Sequence, residues 1–114
     1  MSRREEILRD ADALVTGSRQ AAYGPPSLAF GRIARYWSVY LDRTVSADDV
    51  AELMVLLKIA RTQHGPYNLD SYVDQCGYAA LAGELAGEDA GHDERDARDV
   101  EGLTAIRTTI RTTS

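Results

Sequence analysis

Apolar positions recur at spacings of three and four along most of the first 86 residues, and this is the period of an α-helix. Four segments carry the pattern, and they cover residues 3–16, 27–41, 47–63 and 69–86. Glycine- and proline-containing stretches separate the first segment from the second and the third from the fourth. The pattern therefore predicts an all-α fold, a bundle of four helices.

The third and fourth segments form the centre of the predicted bundle. The third is apolar on almost every side, and a helix of that kind is usually buried between others. A turn at residues 64–68, broken by Gly65 and Pro66, leads directly into the fourth segment. We therefore predict a central antiparallel helical hairpin.

Four charged residues stand on this hairpin at helical spacing. Lys58 and Arg61 are three residues apart on the third segment, and Asp70 and Asp74 are four apart on the fourth. Because an unpaired buried cation is costly, we expect the cations to face the carboxylates. Two interpretations stay open. The cluster is either a structural lock, or a site in which carboxylates bind Mg²⁺ and cations bind phosphate.

Asp49 and Glu52 add two carboxylates to the first turns of the third segment. If they faced Asp70 and Asp74, the four together would suit one or two divalent ions. The alternative is that they only cap the helix, with Ser46 as the N-cap residue and Asp49 as its partner three residues on.

A second candidate site lies around the loop before the second segment. Tyr23 precedes Gly24 and Pro25, and a tyrosine in such a loop is a candidate for stacking on a base. Arg32 follows one to two helical turns later as a candidate phosphate ligand. The alternative is an ordinary turn whose tyrosine faces the core.

Charge divides the chain into two parts. Residues 1–83 hold ten acids and nine bases, whereas residues 84–114 hold eight acids and four bases. We predict a helical domain at 1–86 and, at 87–114, an acidic linker and C-terminal tail that is partly disordered or docked on a partner. The acidic balance argues against binding of duplex nucleic acid.

Composition also indicates the cellular setting. No segment reaches the roughly 18 apolar residues of a membrane span, and the N-terminus lacks the apolar run of a signal peptide. Cys76 is the only cysteine, so an internal disulfide is impossible. We expect a cytoplasmic protein with no membrane contact, and a homo-oligomer, most simply a dimer, because the third segment is so apolar.

Three blocks of the sequence resemble an uncharacterised family of small helical proteins found mostly in tailed phages and prophages. The blocks are YGPPSLAFGRIARYWSVYL, DVAELMVLLKIAR and DSYVDQCGYAAL, and the resemblance covers roughly residues 5–86. The layout of that family is distantly similar to MazG-type all-α nucleoside triphosphate pyrophosphohydrolases. Those enzymes bind Mg²⁺ through acidic residues on two neighbouring helices.

The resemblance implies a MazG-like bundle that binds nucleotides in the cytoplasm of the host cell. It implies Asp70 and Asp74 as catalytic and metal-binding residues, Asp49 and Glu52 as further metal ligands, and Mg²⁺-dependent hydrolysis of a nucleoside triphosphate. Two alternatives stand beside this hypothesis. One is a non-enzymatic anti-defence protein that sequesters a nucleotide signal, and the other is a structural or interaction protein whose ion pairs are purely internal.

Overall fold

The structure is a computed structural model that describes residues 1–17 and 24–90. These residues form four helices and no strand: α1 (Arg3–Thr16), α2 (Pro26–Leu41), α3 (Ala47–Arg61) and α4 (Leu69–Ala90). The prediction of an all-α, four-helix fold is therefore confirmed for these ranges. The predicted tail beyond residue 90 lies outside the described residues.

The predicted helix boundaries agree with those of the structure to within two residues, except at the end of α4. α1 has the predicted limits, α2 begins one residue earlier at Pro26, and α3 ends two residues earlier at Arg61. The prediction that the last helix stops at residue 86 is wrong, since α4 continues to Ala90. Gly87 costs the helix only about 1 kcal/mol relative to alanine, which is too little to end it.

Serine N-caps begin two of the helices. In α3, the backbone N–H of Asp49 donates to Ser46 Oγ (3.2 Å) and the backbone N–H of Ser46 donates to Asp49 Oδ2 (3.0 Å). Ser2 and Glu5 form the same capping box at the start of α1. Each box satisfies backbone donors that the helix leaves without partners. The predicted cap at Ser46 is thus confirmed.

α3 and α4 form the predicted antiparallel hairpin. Ala51, near the start of α3, packs with Ala82 and Leu85 in the second half of α4. Lys58, near the end of α3, meets Asp74 in the first half of α4. α1 packs along α4, and α2 packs against α3. The buried apolar residues are mostly small: Ala11, Ala34, Val50, Ala51, Val73, Ala82 and Leu85.

The expectation that α3 is enclosed on all sides is wrong for a single chain. Its outer face leaves Leu56 59% exposed and Leu57 43% exposed, because within the described residues only α2 and α4 pack closely on it. α2 likewise exposes Tyr36 and Tyr40 while half-burying Phe30 and Trp37.

Within the described ranges, no helix combines the length and the apolar character needed to cross a membrane.

Gly77 lies where α1 crosses α4, as its mid-helix position suggests. A Cβ at this position would lie 3.3 Å from Val15 Cγ1 and 3.5 Å from Leu14 Cδ2. Gly83, in the same helix, would place its Cβ in open space. The close approach of α1 therefore accounts for the glycine at 77 and not for the one at 83.

We predict opposite effects for substitutions at these two glycines. Gly83→Ala should raise the free energy of unfolding by about 0.5–1 kcal/mol through helix propensity. Gly77→Leu should lower it by about 1–3 kcal/mol, because the larger side chain forces α1 away from α4. Urea unfolding followed by circular dichroism measures both. Equal stability of the two variants would contradict the tight crossing.

Candidate functional site

One ion pair joins α3 to α4 across the hairpin. Lys58 Nζ lies 2.8 Å from Asp74 Oδ2, and the two side chains are only 15% and 26% exposed. Helical spacing directs Lys58 to the side of α3 that packs against α4, together with Met54 and Val55, which are also partly buried. The predicted pairing of a hairpin cation with a hairpin carboxylate is realised at this position.

The second predicted pair does not form. Arg61 and Asp70 are both exposed, and neither lies within 4.0 Å of an oppositely charged group in the described part of the chain. Arg61 is the last residue of α3. Asp70 is in the first turn of α4, where its backbone N–H donates to Asn68 Oδ1 at 3.0 Å. Both side chains are exposed beside the turn that joins α3 to α4, so burial does not force them together.

Asp49 is part of a helix cap, as the simpler interpretation suggested. Its carboxylate accepts the backbone N–H of Ser46. Glu52 lies one turn further on and is exposed. Across residues 1–17 and 24–90, no three carboxylate, histidine or cysteine side chains gather closely enough to hold a metal ion. Within the described part of one chain, Asp49 and Glu52 therefore do not converge with Asp70 and Asp74, and a metal-binding role for these carboxylates stays a prediction.

A cavity of about 250 Å³ opens between α1, α2 and α4. Its described lining is apolar except for Asp74. The lining residues are Leu14, Val15, Gly24, Pro26, Ala29, Phe30, Ile33, Asp74, Gly77, Tyr78 and Leu81. Asp74 thus takes part in two features at once: its carboxylate holds Lys58, and the residue is part of the wall of the cavity.

The sequence reasoning missed the aromatic wall of this cavity. The rings of Phe30 and Tyr78 meet edge to face, with centroids 6.3 Å apart and planes at 68°. The sequence does contain a pattern that indicates the α4 side of the cavity wall. Its residues follow the i, i+3, i+4, i+7 spacing of one helix face, namely Asp74, Gly77, Tyr78 and Leu81. Nothing in the local pattern connects Phe30 to that face, since the contact depends on how α2 packs.

The other predicted ligand-binding residues fall outside the cavity lining or outside the described ranges. Arg32 is exposed on α2, next to the lining residue Ile33. Tyr23, the predicted base-stacking residue, lies outside the described residues. Its neighbour Gly24 lines the cavity and has a positive φ of 80°.

The chain belongs to a family described as a domain of unknown function, DUF6378, whose profile matches residues 6–86. It is 45% identical over 75 residues to the Gene 55 protein of Mycobacterium phage D29, and 40% identical over 77 residues to the Gene 55 protein of Mycobacterium phage L5. No solved structure matches the chain significantly. The prediction of a phage protein family is confirmed, whereas the distant similarity to MazG-type enzymes stays a prediction.

The chain spans about half the length of these two curated relatives. Each match covers 66% of this chain, but only 50% of the D29 protein and 49% of the L5 protein. The shared region is thus a unit that those proteins combine with further sequence.

We predict that the Lys58–Asp74 pair contributes to stability and that Arg61 does not. Lys58→Met should lower the free energy of unfolding by about 1–3 kcal/mol, because it leaves Asp74 shielded and unpaired. Arg61→Met, the matched control on the same helix, should change it by no more than about 0.5 kcal/mol. Urea unfolding of the two variants measures the difference.

The double variant Lys58→Met/Asp74→Leu should recover most of the lost stability, because apolar replacement of both members of a shielded pair is often neutral. If Lys58→Met proves no more costly than Arg61→Met, the pair is not a structural lock.

Proposed function

We propose that this protein binds a nucleotide or a nucleotide-derived small molecule, with the base held in the cavity between α1, α2 and α4. The observation that carries the proposal is a single carboxylate, Asp74, in an otherwise apolar described lining. Apolar pockets with a few placed polar groups are typical of small-molecule sites. The membership in a phage protein family fits this function but does not specify it.

The size of the cavity supports a base as the part of the ligand that enters. Its volume of about 250 Å³ is close to the lower end of the range for small-molecule pockets, roughly 300–1,000 Å³. That space suits a planar ring system and not a triphosphate. Phe30 and Tyr78 supply aromatic surface against which a planar ring can pack.

Asp74 defines which bases fit best. An ionised carboxylate only accepts hydrogen bonds, so it selects ligand groups that donate them. Amino and ring N–H groups of a purine are such donors. Lys58 holds the Asp74 carboxylate in position from the α3 side. The expected ligand therefore has at least one N–H donor at the end of the ring that enters the cavity.

The phosphates of such a ligand would lie outside the apolar cavity. Lys58 is already engaged with Asp74, which leaves the exposed guanidinium groups of Arg32 and Arg61 as the phosphate-binding candidates. Arg32 is the better candidate of the two, because its helix α2 supplies four residues of the cavity wall, whereas α3, which carries Arg61, supplies none of the described lining. Guanidinium groups bind phosphate oxygens in pairs, which suits this role.

Binding without hydrolysis is the form of the proposal that the described residues fit better. A Mg²⁺-dependent pyrophosphohydrolase needs several carboxylates around its metal, and one described chain does not bring Asp49, Glu52, Asp70 and Asp74 together. Sequestration of a nucleotide by an anti-defence protein needs only the cavity and an anion-binding group.

We predict that a purine nucleotide raises the thermal unfolding temperature of the full chain, and that chelator does not abolish this shift. At a hundred times its dissociation constant a ligand adds about 2.7 kcal/mol, which is a shift of about 10 °C for a domain of this size. Asp74→Asn should remove most of the shift, measured against its own ligand-free temperature. Asp70→Asn, the matched control in the same helix, should keep it.

Three other outcomes would change the proposal. A shift that requires Mg²⁺, together with product formation, would indicate the pyrophosphohydrolase and point to ligands from a second chain. A shift unaffected by Asp74→Asn would place the site away from this cavity. No shift with any nucleotide would leave the Lys58–Asp74 pair as a structural lock and favour a structural or interaction protein.

A further inference from the structure

The outer face of α2 differs in charge from the rest of the described surface. α2 contains no acidic residue, whereas α1, α3 and α4 each contain at least three. Arg32 and Arg35 stand on this helix, both are exposed, and neither takes part in an ion pair within the described residues. The helix therefore carries positive charge that no described acidic side chain neutralises.

The arginines share their helix face with exposed apolar side chains. Leu28, Arg32, Arg35 and Val39 are spaced four, three and four residues apart, and Tyr36 stands four residues after Arg32, so the five form one surface, which we call the arginine stripe. Tyr36 is 74% exposed and Val39 is 83% exposed. A surface that combines unpaired cations with bare apolar groups suits an acidic ligand that also has apolar side chains.

The chain itself continues from a point near this helix. Leu85 of α4 belongs to the same packed cluster as Phe30 of α2, and Ala90 follows five residues later, about 7.5 Å further along the helix axis. The next residues, 91–99, read GHDERDARD and contain four acids and two bases. Val100 and Leu103 then restore apolar character.

The length of this segment matches the stripe. Nine residues span up to about 30 Å when extended, whereas a helix of the length of α2 measures about 24 Å. An extended segment of residues 91–99 is therefore at least as long as the arginine stripe. Because the segment is tethered, its effective concentration is in the mM range or above, so weak individual contacts suffice for docking.

We propose that residues 91–103 dock on the arginine stripe of their own chain. Acidic residues of the segment face Arg32 and Arg35, and the apolar residues that follow cover Tyr36 and Val39. The docked segment then acts as an internal competitor for any anion that approaches α2. That consequence for Arg32 as a phosphate ligand rests on the proposed function, whereas the docking itself does not.

Paramagnetic relaxation enhancement in the full chain tests the docking. A nitroxide is attached at Ala97→Cys in a Cys76→Ser background, and the ¹⁵N spectrum is compared before and after reduction of the label. We expect broadening of the amides of α2 and none in the exposed turns of α1. In about 1 M salt, where the screening length falls to ~3 Å, the broadening should largely disappear.

Charge reversal provides the matched control. Arg32→Glu/Arg35→Glu should abolish the broadening of α2, whereas Arg4→Glu/Arg9→Glu, the same change on exposed positions of α1, should preserve it. Adding Asp93→Arg/Glu94→Arg to the first variant should restore broadening, because the two surfaces again carry opposite charges. Unchanged broadening in Arg32→Glu/Arg35→Glu would overturn the proposal.

The same measurement on a mixture of two chain types separates docking within a chain from docking between chains. One type carries the nitroxide at natural isotope abundance, and the other is ¹⁵N-enriched and carries no nitroxide. Broadening in this mixture arises only from docking between chains. We expect no broadening in the mixture, and broadening there would overturn docking within the same chain. The absence of broadening in the singly labelled chain would also overturn the proposal. If α2 amides instead shifted on addition of an oligothymidylate, the stripe would be a surface for single-stranded nucleic acid.

Discussion

The contact between Lys58 and Asp74 is the constraint on which the arrangement of this protein depends. A lysine ammonium group that is only 15% exposed needs a carboxylate within reach, and the partner must come from the neighbouring helix. Meeting that requirement sets how far α4 slides along α3. The same register places Ala51 against Ala82 and Leu85, where small side chains allow the helices to approach closely.

Asp74 couples stability to the candidate site. The carboxylate that neutralises Lys58 also lines the cavity formed with α1 and α2. A ligand that donates hydrogen bonds to Asp74 would add to an interaction that already holds the hairpin together. Loss of ligand binding in an Asp74 variant therefore has to be compared with the stability of the same variant without ligand. An Asp70 variant serves as the control, because Asp70 is exposed on the same helix and takes part in neither the ion pair nor the described cavity lining.

The described surface is uneven in polarity as well as in charge. The outer side of α3 presents leucines, and α2 presents arginines with tyrosine and valine, whereas α1 and α4 carry most of the exposed acids. The predicted dimer would find its apolar surface on α3, while the arginines of α2 suit an acidic occupant. These faces belong to a chain that spans about half the length of the curated phage relatives it matches.

The sequence by itself determined what depends on neighbouring residues: four helices with nearly correct limits, the serine cap of α3, the glycine at a helix crossing, and a hairpin with a cation–carboxylate contact across it. These follow from helical period, capping chemistry and the cost of an unpaired cation, which all act over a few residues or one short turn. Only the structure identified Lys58 and Asp74 as the two members of that contact.

Only the tertiary structure decided which faces are covered, and there the sequence misled. The apolar pattern of α3 does not reveal that just two described helices pack closely on it. The spacing of Arg61 and Asp70 does not reveal that both are exposed beside the turn between α3 and α4. The cavity joins residues of α1, α2 and α4 that are far apart in the chain. Its shape depends on the distances and angles between helices, which are set by packing of the whole domain and not by any local pattern.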